Sequence, residues 1–553
     1  MDIQRTVALV VFFVSSLMLW EAWQKQHTPV TQVKAPTVAS TPVPTQGEAN
    51  LTPAPTVSPS SAPRPIQEGQ ALPTAQRIQV KTDKLKLEID TAGGDLRQVI
   101  LLEHLVVDDK SKPVTLMQDK GAPFYVTQSG LLGEGLPSHN TIYSTAASEY
   151  QLNDGQDTLE VVLSAPESGG LKVEKVYAFR RGSYVVNLSY RMANSSGAAI
   201  TPHAYFQFLR DATSPPGEVK MLNTFTGPAV YTKEKKFVKV SFSDIDKAKE
   251  SYPKKANDGW LGMLQHYFVA AWLPQENIER EFYTRKIGND LYSVGVIVPA
   301  GTVEAGKSAS VSVPLYIGPQ EVDKLAKLAT GLDLVVDYGV LTIIAAPLFK
   351  VLHFIYNWVG NWGVAIILLT VLIKLVFYPL QNKASRSMAQ MKLLTPKMQR
   401  LKEQYGDDKQ KLQQAMMELY KKEKINPLGG CLPIVIQIPV FISLYWVLLA
   451  SVELRHAPFF GWIQDLSAAD PFFILPILYA ASMFVQMKLQ PASPDPTQQK
   501  IMMAMPLVFS VLFLFFPAGL VLYWIVNNVL SIIQQWHINR SMEREVANKA
   551  LKR

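Results

Sequence analysis

One cysteine stands among 553 residues, Cys431, which excludes an internal disulfide and any cysteine-cluster metal site. Charged residues make up 18% against 48% hydrophobic, too apolar a balance for an ordinary soluble protein of this length. Before about residue 331 the sequence has no phosphate loop, no metal-ligand spacing and no nucleophile motif, and the apolar segments after it show no internal repeat. An enzyme built on that first part does not fit those gaps, and no cofactor is expected.

What is present divides the chain in two. Up to about Gly331 the residues are mixed and mostly polar, whereas the C-terminal part carries apolar runs long enough to cross a hydrocarbon core about 30 Å thick. The net charge of +8 need not mean a nucleic-acid partner, because membrane proteins gather Lys and Arg on cytoplasmic loops. No specific nucleic acid is expected; membrane lipids are.

Residues 6–20 (TVALVVFFVSSLMLW) form an apolar run behind a short start with one basic residue. A cleaved signal peptide needs small side chains after such a run, but Trp20 and Trp23 stand there, so a retained anchor over residues 1–23 is expected. Pro, Thr, Ala, Val and Ser then dominate, and residues 24–75 read as an extended tether unable to bury enough apolar area to fold. Near Arg77 the pattern turns to period two: Ile78 and Val80, then Leu85, Leu87 and Ile89, alternate with polar residues. Similar segments at 159–163, 171–179, 184–190, 204–208 and 308–317 predict a large antiparallel β-sandwich over residues 76–331, closed by a short helix at 319–330.

Residues 332–360 carry Lys350, His353 and Asn357 on one face, the pattern of an interfacial amphipathic helix, although hydropathy alone allows another span. Clear spans follow at 361–380, 427–450, 472–488, 501–516 and 520–537, six with the anchor. The segment 381–426 is rich in Lys and Arg, while 451–471 offers only Arg455. By the positive-inside rule the first is cytoplasmic and the second periplasmic, which requires that 332–360 does not cross. The termini are then cytoplasmic, the β domain periplasmic, 489–500 a cytoplasmic loop and 538–553 a basic tail. Within 381–426, Met391, Leu394, Met398 and Leu401 recur at helical spacing, Tyr405-Gly406-Asp407 breaks the run, and Leu412, Met416 and Leu419 resume it. That predicts an antiparallel helical hairpin whose methionines either form its core or offer a flexible apolar surface to clients. Cys431, beside Gly429 and Gly430 at a helix start, reads as a small buried residue rather than a redox or lipidation site.

Lys374 is the sharpest signal, a cation in the apolar run AIILLTVLIKLVFYPL. It lies four residues before Tyr378, about 6 Å along a helix, so it can snorkel to headgroups or face a wet cavity. Thr370, one turn earlier on the same face, favours the cavity. Gln437, Asn527 and Asn528 add polar groups at comparable depth; each alone is ordinary helix-packing glue, and together with Lys374 they could line a hydrophilic groove.

The runs NPLGGCLPIVIQIPVFISLYWVL (426–448), NWGVAIILLTVLIKLVFYPL (361–380), DPTQQKIMMAMP (495–506) and FPAGLVLYWIVNN (516–528) resemble the YidC insertases, relatives of the Oxa and Albino translocases. With the anchor, tether and β domain, the resemblance covers essentially the whole chain and implies the Gram-negative inner-membrane form. It implies a polytopic helical insertase, not an enzyme, that inserts, folds and assembles inner-membrane proteins alone or with the Sec translocon. It further implies a groove carrying one basic residue, here Lys374 where the family usually has arginine, so the planar fork for carboxylates is lost while the charge is kept. Thr370, Gln437, Trp524 and Asn528 fall at groove positions, and Ile438, Pro439, Met505 and Phe509 on the helices along which clients slide. The hairpin (Met391, Met398, Tyr405, Asp407, Met416) resembles the region that receives nascent clients, with the ribosome and the signal recognition particle receptor as further partners. Two other functions are weighed on the residues. A secondary transporter lacks its repeat, and an enzyme built on the β domain would have only the scattered His203, Asp211 and His266.

Overall fold

Strict alternation builds the first half of the molecule, whose strand Val185–Asn194 buries Val186, Leu188, Tyr190 and Met192 and turns Asn187 and Arg191 to solvent. The computed structural model describes residues 72–553 apart from 107–108, 110, 217–223, 250, 289, 407, 424–431, 490–495 and 552–553. The expected anchor, nearly all of the expected tether, Asp407 and Cys431 therefore lie outside the described residues, as does the side chain of Met505.

Three sheets make the β domain: one of nine strands and two of five. Val185–Asn194 runs near the middle of the largest, antiparallel to Leu171–Arg180 and Ser308–Pro319, with Leu188 opposite Tyr177 and Val313. The His203–Asp211 strand is an interior strand of a second sheet, between Leu291–Pro299 and the edge strand Tyr125–Leu132, and its Phe206 and Phe208 rings lie 5.1 and 5.8 Å from Trp272 of the largest one, so the two sheets share a core. The expected antiparallel β architecture is present, and two details go beyond it. A third sheet runs through Arg77–Lys81, and that strand pairs in parallel with Glu149–Gln151. Between the sheets sits a charged cluster. Asp95, fully buried, lies 3.6 Å from Lys175 and 3.5 Å from Arg97 and accepts from Gln128 at 3.3 Å. Burial pushes the Lys175 amine down to about 8 although Asp95 beside it pulls the other way.

The described helices are α1 (Val322–Leu328), α2 (Thr342–Val359), α3 (Trp362–Val376), α4 (Tyr378–Leu393), α5 (Thr395–Tyr405), α6 (Lys409–Lys422), α7 (Leu432–Ala450), α8 (Ile474–Leu489), α9 (Pro496–Phe513) and α10 (Ala518–Leu551), besides a single turn at Phe242–Asp246. Among them, α2 and α10 are each long and apolar enough to cross a membrane, and α3 with α4 qualifies as a bent pair. Helix α2 packs Ala345, Phe349 and Leu352 against α3 and α7 and exposes Ile343, Phe354 and Trp358. His353 of α2 meets Asp323 of α1 at 3.1 Å, which ties it to the β domain. The last span and the tail expected after it are one 34-residue helix, α10, because Asn527 and Asn528 keep helical geometry and no Gly or Pro interrupts the residues beyond them.

The two halves meet at a polar joint. His266 Nε2 lies 3.1 Å from the Leu449 carbonyl of α7, His456 Nε2 3.0 Å from the Leu105 carbonyl, and the Arg455 guanidinium stacks 5.2 Å over Phe268. Burial first, with Arg455 adding to it, brings His266 and His104, whose ring lies 5.5 Å from that of Phe268, down to about 4. Between about pH 6.5 and 4 the undocked form therefore binds protons that the docked form refuses, and docking weakens as pH falls. Glu453 works in the opposite sense. Burial first, then Glu321 and Asp323, raise it to about 7, so its contribution is lost as pH rises from about 4.5 to 7. Glu453→Gln is expected to leave docking that only weakens on acidification from pH 7.5 to 4.5, measured by protease access to residues 451–471; unchanged access across that range would remove these histidines from the joint.

Candidate functional site

The side chain of Asn361 caps α3 by accepting from the Val364 amide at 3.0 Å, and Gly363 seats the first turn so closely that an added Cβ would lie 2.1 Å from Phe459. Helix α3 ends at Val376, and α4 departs from it at 71°. Pro379 sits in the first turn of α4, where its missing N–H is no loss, but its ring blocks a straight continuation of the turn before it. The span expected over 361–380 therefore bends at Phe377.

Just before the bend, half-buried Lys374 projects into a polar layer shared by α3, α4, α7 and α10. Its ammonium donates to Ser531 Oγ at 2.8 Å and to Gln381 Oε1 at 3.4 Å. Gln381 Nε2 donates to Gln437 Oε1 at 3.3 Å, and Gln437 Nε2 donates to the Tyr523 hydroxyl at 3.2 Å. Among the described residues no carboxylate lies within ion-pair distance of Lys374. Lys374 and Gln437 thus share one chain of hydrogen bonds, and sequence reasoning missed Ser531, Gln381 and Tyr523. Two of these had a weak signal. Ser531 follows Asn527 by one helical turn, and Gln381 follows Lys374 by two.

Thr370 is buried with its hydroxyl donating to the Ile366 carbonyl at 2.7 Å, so it packs beneath Lys374 without touching the ammonium. Asn528 faces α8 and donates to Ser482 Oγ at 3.2 Å. Trp524 lies one turn nearer the start of α10 than Asn528, in an aromatic floor with Phe441 at 4.4 Å and Phe513 at 5.8 Å, to which Tyr479 adds a 4.5 Å contact with Phe513. Trp524 Nε1 and Asn527 Oδ1 are buried and have no hydrogen-bond partner among the described residues. Below the floor, the 451–471 segment fixes the start of α10, because Ala518 and Gly519 amides donate to the Ala468 and Leu466 carbonyls at 2.7 and 2.9 Å.

Of the expected slide residues, Ile438 is exposed and Pro439 and Phe509 are half-buried; Leu507, Val508, Val511 and Phe515 extend the bare apolar surface of α9 and the turn after it. The expected hairpin has three helices, since the first arm breaks at Leu394 between α4 and α5. Pro396 in the first turn of α5 accounts for the break. Helices α5 and α6 run antiparallel, with Lys397 paired to Glu423 at 2.5 Å. Met398 is buried and accepts from the Tyr420 hydroxyl at 3.3 Å, which makes it hairpin core; Met391, Tyr405 and Met416 are half-buried. His203, Asp211 and His266 do not converge: Asp211 accepts from the Phe124 amide at 2.8 Å while His266 sits at the joint. Among the described residues no group of three or more His, Cys, Asp or Glu could hold a metal.

Two family models match consecutive parts of the chain, the YidC periplasmic domain over residues 77–351 and the 60Kd inner membrane protein family over residues 354–545. A membrane protein insertase YidC from Nitrosospira multiformis is 52% identical over 562 aligned positions, covering 99% of each chain. Another from Aromatoleum aromaticum is 53% identical over 549, again covering 99% of each. A crystal structure of an active YidC insertase aligns with 85% of this chain and 94% of its own, at 18% identity and a TM-score of 0.40. The full-length identity and the two adjoining family matches, falling on a β domain and on a helix bundle, lead to one conclusion: the chain belongs to the YidC family of membrane protein insertases, which are not enzymes.

Proposed function

We propose that the chain inserts, folds and assembles integral membrane proteins by admitting a client's polar segment to the layer around Lys374 while the client's apolar helix passes along α7 and α9 into lipid. The observation that carries this is the ammonium of Lys374, which among the described residues has no carboxylate partner and is held by neutral oxygens in a polar layer between apolar helices. A charge at bilayer depth costs roughly 2.5–3.5 kcal/mol on insertion scales, so a cation without a carboxylate partner is suited to receive an anionic group rather than to glue helices. Trp524 Nε1 and Asn527 Oδ1, without hydrogen-bond partners among the described residues, add a donor and an acceptor for client backbone on the helix that carries Ser531. Exposed Ile438, Leu507 and Val511 offer the apolar path beside it. Burial of a client helix, at about 25 cal/mol per Å², supplies the drive, so no nucleotide is needed.

The same proposal places the chain in a bacterial inner membrane, crossing six times with α2 lying at the interface, the β domain periplasmic and both termini cytoplasmic. The basic residues of 381–426 and the pairing of α2 with α1 of the β domain support that arrangement. It works alone or beside the Sec translocon, and the α5–α6 hairpin meets clients arriving from the ribosome or the signal recognition particle receptor. A secondary transporter has no support from the family matches. Vesicles holding this chain as their sole protein are expected to integrate a short single-span client with a polar N-terminal region; integration no faster than in protein-free vesicles would sink the proposal.

A further inference from the structure

Building on the groove proposed above, we infer that Ser531 and Gln381 are positioning residues that aim the Lys374 ammonium into the groove and set its preference for acidic clients. The geometry is directional. The Ser531 hydroxyl donates back to the Asn527 carbonyl at 2.8 Å, so its lone pairs are left to accept from Lys374 at 2.8 Å. Gln381 turns its carbonyl to the ammonium because its amide is engaged with Gln437, whose own amide is engaged with Tyr523. Every link points the same way, from the cation outward through two amides to a phenol, and each amide's orientation is fixed by its neighbour. Across the 71° bend between α3 and α4, Gln381 in the first turn of α4 stays within reach of Lys374 near the end of α3. A lysine stem has four rotatable carbons and would otherwise extend toward headgroups. Two neutral acceptors hold it without cancelling its charge, which a carboxylate at either position would do.

The test uses the full chain in proteoliposomes and two versions of one single-span client, with acidic and with neutral N-terminal tails, and reads the ratio of their insertion rates. Ser531→Ala removes an acceptor from a charged donor and is expected to lower the acidic-to-neutral ratio about fivefold, while Ser531→Thr, which keeps the hydroxyl and its back-bond, restores it. Gln381→Glu places a carboxylate against the ammonium and is expected to lower the ratio as far as Lys374→Ala does. If Lys374→Ala shifts the ratio but Ser531→Ala and Gln381→Glu do not, or if Ser531→Thr behaves as Ser531→Ala, the positioning role is overturned and the groove stands. If Lys374→Ala itself leaves the ratio unmoved, the groove proposal fails.

Discussion

Lys374→Ala is expected to slow insertion of a client with an acidic N-terminal tail roughly tenfold and to slow a neutral-tailed client much less. The size follows from what the ammonium would do for a carboxylate entering the polar layer, where one charge-assisted hydrogen bond is worth about 1.5–3 kcal/mol and about 1.4 kcal/mol is a decade in rate. Lysine and arginine are not equivalent here. Lys374 reaches Ser531 and Gln381 as a point charge with three donors, whereas a guanidinium brings a planar fork that fits a carboxylate bidentately but must find more acceptors to fill its edges. Lys374→Arg should therefore retain acidic-tail insertion while changing its salt dependence. Equal loss on acidic and neutral tails in Lys374→Ala would mean the residue serves packing and not client charge.

The second large effect is expected far from the groove. Asp95→Asn leaves Lys175 and Arg97 buried without their counterion and should destabilise the β domain by about 3–5 kcal/mol, the usual cost of breaking a buried ion pair from one side. Urea-dependent trypsin cleavage within residues 77–319 of the full chain measures it, and a loss under about 1 kcal/mol would show that the remaining polar partners suffice. Lys175 adds a pH signature. Its folded value of about 8 lies below its ordinary 10.5, so between those limits the unfolded chain holds a proton the folded one has released, and this group's contribution to stability rises with pH. Lys175→Met should flatten that rise.

The β domain was legible wherever one face is wet. Val186, Leu188, Tyr190 and Met192 alternate with polar residues and declare their strand, but Trp260–Gln265 and Phe268–Trp272 are buried throughout and read only as short apolar runs. Lys374 was legible as a charge in an apolar helix. Its partners were not, because Ser531 lies 157 residues away and a serine in a helix usually bonds its own turn, as Ser531 also does. The bend at Phe377 had a sign in Pro379, yet hydropathy runs smoothly through it and gives one span where geometry gives two helices. Two strands of the third sheet, Arg77–Lys81 and Leu85–Asp90, declared themselves by alternation, but its parallel pairing escaped because Glu149–Gln151 has only three residues and no alternation long enough to count.

Helix α10 has mechanical consequences. Its 34 residues extend about 51 Å, well beyond the ~30 Å of a hydrocarbon core, and its first residues are pinned by the Ala468 and Leu466 carbonyls. It is a lever with its fulcrum at Ala518. Ser531 sits roughly 20 Å along it, so a sideways load at the far end shifts the seat of the ammonium by about two-fifths of the imposed displacement.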